Sequence, residues 1–364
     1  MSEPVIVAGA RTPIGKLSGA LGSMTAMELG GVAIAAALES ASIEPDQVDY
    51  VLMGHVIQAG QGQITARQAA AKAGIPMSVP ANTINKVCLS GLNSIYLANQ
   101  MILSGDAEIV VAGGMESMTQ APHLLPGARA GFRLGDTTLI DSMTFDALTC
   151  SFDGCGMGVA TERFNQTEGI SRSRQDEFAA QSHGRASNAV EKGLFAKEIT
   201  PVHVPKRGGT SVLVERDEGI RPDTTIESLA ALRPAFDPSG TITAGNSSQI
   251  SDGAAAMILM SKSKARELGV DPLGELIGYG MVAGPGTSLL KQPSSAIKKA
   301  LFRAGKTIDQ IDLVEINEAF ALVGIVSADD LGISDENINV NGGAIALGHP
   351  VGMTGTPLVL TAVL

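Results

Sequence analysis

Hydrophobic and polar residues alternate along the first third of the chain in a pattern typical of strands followed by helices. The segments between the strands predict helices, the first of which opens at a capping box of Thr25 and Glu28 and ends near residue 41. Strands that alternate with helices in this way predict a parallel sheet covered by helices. Four short apolar runs predict the strands, at residues 5–8, 50–53, 81–84 and 108–112.

The pattern changes between residues 119 and 243, where glycine, proline and charged residues are frequent. One long helix is predicted there, capped near Ser173 and stopped at Gly193. We interpret residues 119–243 as an inserted domain.

The last part of the chain repeats the first. The letters QVDYV at 47–51 correspond to QIDLV at 310–314, and a similar offset carries Asn85 close to Asn341. We therefore predict two duplicated halves. Fewer residues follow His349 than the first half uses after Cys88, so we expect the second half to lack its last strand. Strands alternating with helices are predicted again, at residues 275–281, 313–316 and 338–340.

Composition narrows the classes of function. The formal net charge of −11 argues against broad binding to nucleic acid or to a membrane surface, because both need basic patches. No run of roughly 18 apolar residues predicts a membrane span, and the N-terminal residues do not resemble a signal peptide. Three cysteines are too few for a disulfide framework, and we expect a cytoplasmic protein without a metal site.

Cys88 is a candidate nucleophile. It lies between a predicted strand and a predicted helix, where unpaired N–H groups and the helix dipole favour a thiolate. A small buried cysteine without chemistry is the alternative, and the local sequence does not separate the two.

His349 and Asn317 are further candidates. His349 ends a glycine-rich run that allows a close approach to a ligand, and its imidazole could deprotonate a thiol. Asn317 follows a predicted strand and would therefore lie at the carboxyl end of a parallel sheet, where ligands usually bind. The alternatives are a turn histidine and a helix cap, and Glu318 could be only a first-turn acid.

Several long motifs occur in one order along the chain, and together they resemble the thiolase family. The resemblance implies an α/β thiolase fold, with duplicated βαβαβ halves in five αβαβα layers and an inserted loop domain. It implies an N-terminal half over 1–118 and 244–270, the insert over 119–243, and a C-terminal half over 271–364. The motifs are RTPIG at 11–15, NKVCLSG at 85–91, GGMESM at 113–118, AGNSS at 244–248, NEAF at 317–320 and NGGAIALGHP at 341–350.

The resemblance also implies a mechanism and a substrate. Cys88 takes an acyl group from a coenzyme A thioester, His349 acts as its base, and Asn317 holds a water of the oxyanion hole. A helix terminus and an imidazolium are expected to lower the pKa of the Cys88 thiol from about 8.5. No cofactor is implied, since the thioester is the substrate. Eight matched positions are implied to contact coenzyme A or the acyl group: Arg221, Ser228, Ala244, Ser248, Met157, Leu148, Phe320 and Leu289.

The implied reaction joins two acetyl-CoA molecules or cleaves a 3-ketoacyl-CoA, in a homodimer or homotetramer. The family's second cysteine, in a Cys-x-Gly motif, has no match in this sequence, and Cys150 and Cys155 do not fit it. Gly156 also stands where some acetyl-specific members have a histidine. Two alternatives therefore stay open: a truncated coenzyme A-binding homologue with impaired condensation, and a ketoacyl synthase.

Overall fold

The computed structural model describes residues 3–364 of the chain. Within this range the chain forms thirteen strands, several of them only two residues long. The strands are β1 Pro4–Arg11, β2 Gly15–Lys16, β3 Tyr50–Gly54, β4 Ala81–Ile84, β5 Ile109–Ser117, β6 His123–Leu124, β7 Ile140–Asp141, β8 Thr149–Cys150, β9 Cys155–Gly156, β10 Val202–Pro205, β11 Ser211–Val214, β12 Ser251–Ser261 and β13 Gly274–Glu275.

Eleven α-helices accompany these strands in residues 3–364. The first begins at the predicted capping box, where the Thr25 hydroxyl accepts the N–H of Glu28. None of the helices in this range combines the length and the apolar character needed to cross a membrane. The helices are α1 Ala26–Ala41, α2 Thr65–Lys72, α3 Ser90–Ser104, α4 Met157–Glu168, α5 Arg172–Glu191, α6 Ile226–Ala230, α7 Lys262–Leu268, α8 Gln292–Ala304, α9 Ala321–Leu331, α10 Ala344–Leu347 and α11 Gly355–Val363.

Seven strands form one mixed sheet, in the order β13, β1, β12, β5, β3, β4, with β2 also paired to β12. The four strands predicted in the first third are confirmed as β1, β3, β4 and β5. The prediction of a fully parallel sheet is wrong. Only β3, β4 and β5 pair in parallel, because β12 inserts antiparallel between β1 and β5.

Strand β12 is not predicted by the sequence pattern. All eleven residues of this strand are buried, and its sequence SDGAAAMILMS has no alternation of polar and apolar positions. A strand covered on both faces needs no polar side, so its sequence cannot be distinguished from that of a buried helix by periodicity.

Helices cover both faces of the sheet. Alternate residues of β5 point to opposite sides: Ile109 and Val111 pack in the core with α1 and α2, whereas Val110 and Ala112 pack with α3 and α11. This two-sided burial explains the strong apolar character of the central strands. The packing of α3 on this sheet places the start of the helix, which follows Cys88, at the carboxyl end of the parallel strands.

The second half does not form a second sheet within residues 3–364. The strand predicted at 275–281 is wrong: only the two-residue strand Gly274–Glu275 forms, at the edge of the main sheet. The strands predicted at 313–316 and 338–340 are reduced to an isolated parallel bridge between Val314 and Ile338. In the first half, β3 is held by pairing with β5, and β5 in turn pairs with β12. The described residues after 275 form no strand equivalent to β5 or β12. The strands predicted at 313–316 and 338–340 therefore have no neighbouring strand to pair with. The predicted second-half helices are confirmed as α8 and α9.

The segment interpreted as an insert contains more structure than predicted. The long helix is α5, and its N-cap is Ser171, two residues before the predicted cap. Helix α4 was missed because no side chain caps its first turn. Short hairpins, including β8–β9, complete this part of the chain.

Candidate active site

Cys88 lies in a tight turn that ends at the first residue of α3. The Asn85 side chain accepts the N–H of Val87 and donates to the carbonyl of Val56, and the Ser90 hydroxyl donates to the carbonyl of Val87. Val87 has a φ of 49°, which is unusual for a β-branched residue. The turn is therefore held by side-chain hydrogen bonds, and it places the half-buried Cys88 sulfur at the amino end of α3.

His349 follows α10 and is fixed by both its backbone and its ring. Its N–H donates to the carbonyl of Gln249 and approaches the Ser251 hydroxyl. The ring Nδ1 lies 2.6 Å from the Thr354 hydroxyl, which itself donates to the carbonyl of Pro350. Because that hydroxyl has already used its proton, it accepts from Nδ1–H, and this assigns the free electron pair to Nε2.

The free Nε2 faces the sulfur. The distance from His349 Nε2 to Cys88 Sγ is 3.1 Å, and Asn317 Nδ2 lies 3.3 Å from the same nitrogen. The three side chains come from the two halves and meet at one point. The Asn317 Oδ1 atom is buried and has no hydrogen-bond partner among residues 3–364, so it remains available to a donor. The structure thus brings together the three residues predicted from the sequence, and their catalytic roles stay predictions.

The electrostatics of the pair differ from the expectation. Burial, with a smaller effect of the Glu116 charge, raises the pKa of the Cys88 thiol to about 11, against a backbone N–H that lowers it. Burial also lowers the pKa of His349 to about 4. The expected lowering of the thiol pKa is therefore wrong, because loss of hydration outweighs the helix terminus and the imidazole is neutral. At neutral pH the pair consists of a thiol and a neutral imidazole that can take its proton.

Two buried carboxylates hold the backbone around this pair, and the sequence did not single out either of them as a positioning group. Glu318 accepts hydrogen bonds from Ser182 Oγ, Asn339 Nδ2 and the N–H of Ile345, and burial raises its pKa. It is therefore not a solvated first-turn acid, but the support of the segment that leads to His349.

Glu116 is the second of these carboxylates and is fully buried. It accepts the N–H groups of Val56, Ile57 and Gly352, and His55 Nε2 lies 3.2 Å away. The GGMESM motif contains this residue, but its partners are distant in sequence and no local pattern could reveal them.

Five of the eight predicted acyl-CoA residues lie close to the triad. The N–H of Met157 donates to the carbonyl of Leu148 at 2.8 Å, and Leu148 packs in one apolar cluster with Cys88. Met157, Leu289 and Phe320 pack in a neighbouring cluster, and the N–H of Ser248 donates to the carbonyl of Ala319. The first cluster includes Cys88, and the second includes Phe320, three residues after Asn317. The two clusters therefore border the triad.

The other three predicted residues lie on the exposed surface near α6. Ser228 completes a capping box with Thr225, and Ala244 precedes a glycine that packs against Leu229 of the same helix. Arg221 is exposed, and its N–H donates to His183 Nδ1 at 3.2 Å. Burial and the charge of Arg221 lower the pKa of His183 to about 4, so this missed histidine is a neutral support.

No group of three or more histidine, cysteine, aspartate or glutamate side chains in residues 3–364 is arranged to bind a metal ion.

A cavity of about 460 Å³ between the end of α5 and residues 215–222 is lined by none of the predicted site residues.

Known proteins resemble the chain over its whole length. Residues 4–263 match the thiolase N-terminal domain family and residues 270–364 the thiolase C-terminal domain family. A probable acetyl-CoA acetyltransferase of Mycolicibacterium smegmatis is 53% identical over 360 residues, 99% of this chain and 93% of that protein. An acetyl-CoA acetyltransferase of Cupriavidus necator is 48% identical over 361 residues, covering 99% and 92%.

A solved structure agrees with these matches. The acetyl-CoA acetyltransferase of Bacillus anthracis superimposes with a TM-score of 0.97 at 38% identity, over 100% of this chain and 92% of that one. The predicted thiolase fold is thereby confirmed. On the domain matches, the relatives and the superposition, this chain belongs to the thiolase family.

Proposed function

We propose that this chain is an acyl-CoA C-acyltransferase that condenses two acetyl-CoA molecules or cleaves 3-ketoacyl-CoA through an acyl-cysteine. One observation carries the proposal: the 3.1 Å contact between the Cys88 sulfur and His349 Nε2, the ring nitrogen that carries the free electron pair. The names of the relatives and the family membership supply the substrate class.

The first half-reaction follows from the neutral pair. Nε2 of His349 takes the thiol proton as Cys88 Sγ attacks the thioester carbonyl, so that the thiolate forms only during attack. The tetrahedral intermediate collapses, and the departing coenzyme A sulfur receives the proton from the imidazolium. This transfer needs no resident thiolate, which agrees with the raised pKa of Cys88.

The unpaired Asn317 Oδ1 supports a role for water. A water molecule that donates one proton to Oδ1 has its second proton free for the oxyanion of the thioester. Such a donor contributes about 3 kcal/mol to the stabilisation of a transition state. The N–H of Cys88, at the amino end of α3, is proposed as a donor to the oxyanion formed on the acyl-enzyme.

Coenzyme A is proposed to extend from this point over Leu148, Met157 and Phe320 towards α6. Arg221 then supplies a positive charge to the phosphates, which an acidic protein needs locally. Removal of the α-proton in the condensation requires a second acid or base. The resemblance gives this role to a cysteine in a Cys-x-Gly motif, which has no match among the residues of this sequence.

Family resemblance supports three further assignments. Residues 119–243 form an inserted loop domain that binds coenzyme A between the duplicated halves. The enzyme uses no cofactor beyond its substrate and acts as a homodimer or homotetramer. Three cysteines, too few for a disulfide framework, support a cytoplasmic location.

The test is covalent acylation. Incubation with acetyl-CoA and quenching in acid is expected to add one acetyl group to the parent chain and none to Cys88→Ala. Cys150→Ala is the matched control and keeps the acetyl group. An acetyl group that persists on Cys88→Ala, or that maps to another residue by peptide mass, would overturn the proposal.

A further inference from the structure

Two cysteines outside the active site face each other across a short hairpin. In the antiparallel pair β8–β9, Cys150 is directly opposite Cys155. Opposite residues project to the same face, with Cα atoms about 4.5 to 5.5 Å apart. Disulfide-bonded cysteines have Cα atoms about 4.4 to 6.8 Å apart. The backbone therefore already holds this pair at disulfide spacing.

The turn between them is well defined. Gly154 has a φ of 62°, and its N–H donates to the carbonyl of Cys150 at 2.9 Å. Each sulfur also accepts one hydrogen bond, from the N–H of Asp153 to Cys150 and from Arg163 Nη1 to Cys155. Both thiols are free and half-buried, and the four turn residues between them are exposed. A small oxidant can therefore reach the pair.

We propose that Cys150 and Cys155 are an oxidative modification site. A peroxide oxidises the pair to a reversible disulfide between the two cysteines. The peroxide oxidises one thiol to a sulfenic acid and leaves as water. The opposite sulfur then attacks the sulfenic sulfur and releases a second water. Two S–H bonds are lost and one S–S bond forms, while two electrons pass to the peroxide. A dithiol reductant reverses the change.

The location gives the disulfide a particular effect. Leu148 and Met157 flank the hairpin and are joined by a backbone hydrogen bond of 2.8 Å. Leu148 packs in the same apolar cluster as Cys88, whereas the strand pairing places Cys155, and not Cys88, opposite Cys150. The disulfide therefore forms beside the active site without using its nucleophile.

The experiment uses the full chain and a protease that distinguishes the two states. Chymotrypsin cleaves after Phe152, which is 91% exposed and lies between the two cysteines. After hydrogen peroxide treatment of Cys88→Ala, the intact mass is expected to fall by two hydrogens, and the peptides carrying Cys150 and Cys155 are expected to stay joined. Dithiothreitol is expected to separate them.

Cys155→Ser is the matched control, in which Cys150 gains oxygen and no joined peptide appears. The same digest of the parent chain tests the site without the Cys88 substitution, and thermal unfolding shows that each variant is folded.

Addition of oxygen to both cysteines without a joined peptide would overturn the proposal. A disulfide from either cysteine to Cys88 in the parent chain would do so as well. Neither outcome depends on acyl transfer, so this proposal and the proposed function fail separately.

Discussion

One oxygen of Glu116 accepts the backbone N–H of Gly352 at 3.0 Å. Glu116 belongs to β5 in the first half, and Gly352 lies three residues after His349 in the second. The same oxygen accepts the N–H of Val56, whose carbonyl accepts from Asn85 in the Cys88 turn. One buried carboxylate thus joins the backbone segments that carry both members of the catalytic pair.

Glu116→Gln should destabilise the fold and lower the pKa of the Cys88 thiol. An amide nitrogen cannot accept, so a buried N–H is left unpaired, and we expect the free energy of unfolding to fall by about 2 kcal/mol. Because the charge of Glu116 raises the pKa of Cys88, its loss should also move Cys88 alkylation to lower pH. Peptide mass after timed iodoacetamide treatment measures this shift. Exposed Glu39→Gln is the control, and an unchanged alkylation profile in Glu116→Gln would leave only a structural role.

Acyl-enzyme formation should depend on pH through His349. Below its pKa of about 4 the imidazole is protonated and cannot take the thiol proton, so the rate should rise as pH increases through this value. Rapid quenching after mixing with acetyl-CoA, followed by intact mass, gives the rate at each pH. A midpoint near the ordinary histidine value of about 6.5 would contradict the burial of this ring.

The same shift affects stability. The folded pKa of His349 lies below the ordinary value of 6.5, so the unfolded chain binds its proton first as pH falls. His183 adds an effect of the same sign. These two histidines should therefore lower the free energy of unfolding between pH 6.5 and about 4, whereas Glu315, whose pKa burial raises to about 8, acts in the opposite direction. Urea titrations of the parent chain and of His183→Gln across this range measure the histidine contribution by difference. Acid rate measurements consequently need brief pH jumps from neutral solution.

Two neighbouring threonines provide a matched comparison. Thr354→Val removes the hydroxyl that fixes the His349 ring, and we expect the acylation rate to fall up to about tenfold, the equivalent of one hydrogen bond. Thr356 is equally buried, but its hydroxyl has no partner among residues 3–364. Thr356→Val should therefore keep the rate and raise the free energy of unfolding by about 1 kcal/mol. Equal rates in the two variants would remove Thr354 from the orientation of His349.

Arg221→Ala tests the proposed coenzyme A channel. An exposed cation beside a phosphate contributes about 1 kcal/mol or less, so we expect up to about a fivefold weaker affinity for coenzyme A at low ionic strength. The loss should shrink at high salt, because exposed charges are screened. Calorimetry at two salt concentrations measures it. Exposed Arg266→Ala on α7 is the control, and equal affinities for Arg221→Ala and the parent chain exclude Arg221 from the site.

How far the sequence could predict the structure depended on how local each signal was. The α1 capping box and the first four strands carry their signal within a few residues, and they are confirmed. The predicted duplication gave a register between the segments of Cys88 and His349, and in the structure the sulfur and the ring are in contact. β12 could not be predicted, since burial on both faces erases periodicity.

The support of the site was hidden for a different reason. Glu116 and Glu318 act through backbone N–H groups that are distant in sequence, and an N–H group is present at nearly every position. The pKa of Cys88 was predicted in the wrong direction, because local sequence reveals a helix terminus but not the depth of burial. Such quantities need coordinates.

The catalytic cysteine and its base are separated by 261 residues of chain. A ribosome that adds about 5 to 20 residues per second therefore makes Cys88 some tens of seconds before it makes His349. Throughout that interval the thiol has no base beside it and its turn lacks the Gly352 contact through Glu116. Acyl transfer can therefore begin only late in synthesis, after β12 has joined the sheet and the segment that carries His349 has packed against it.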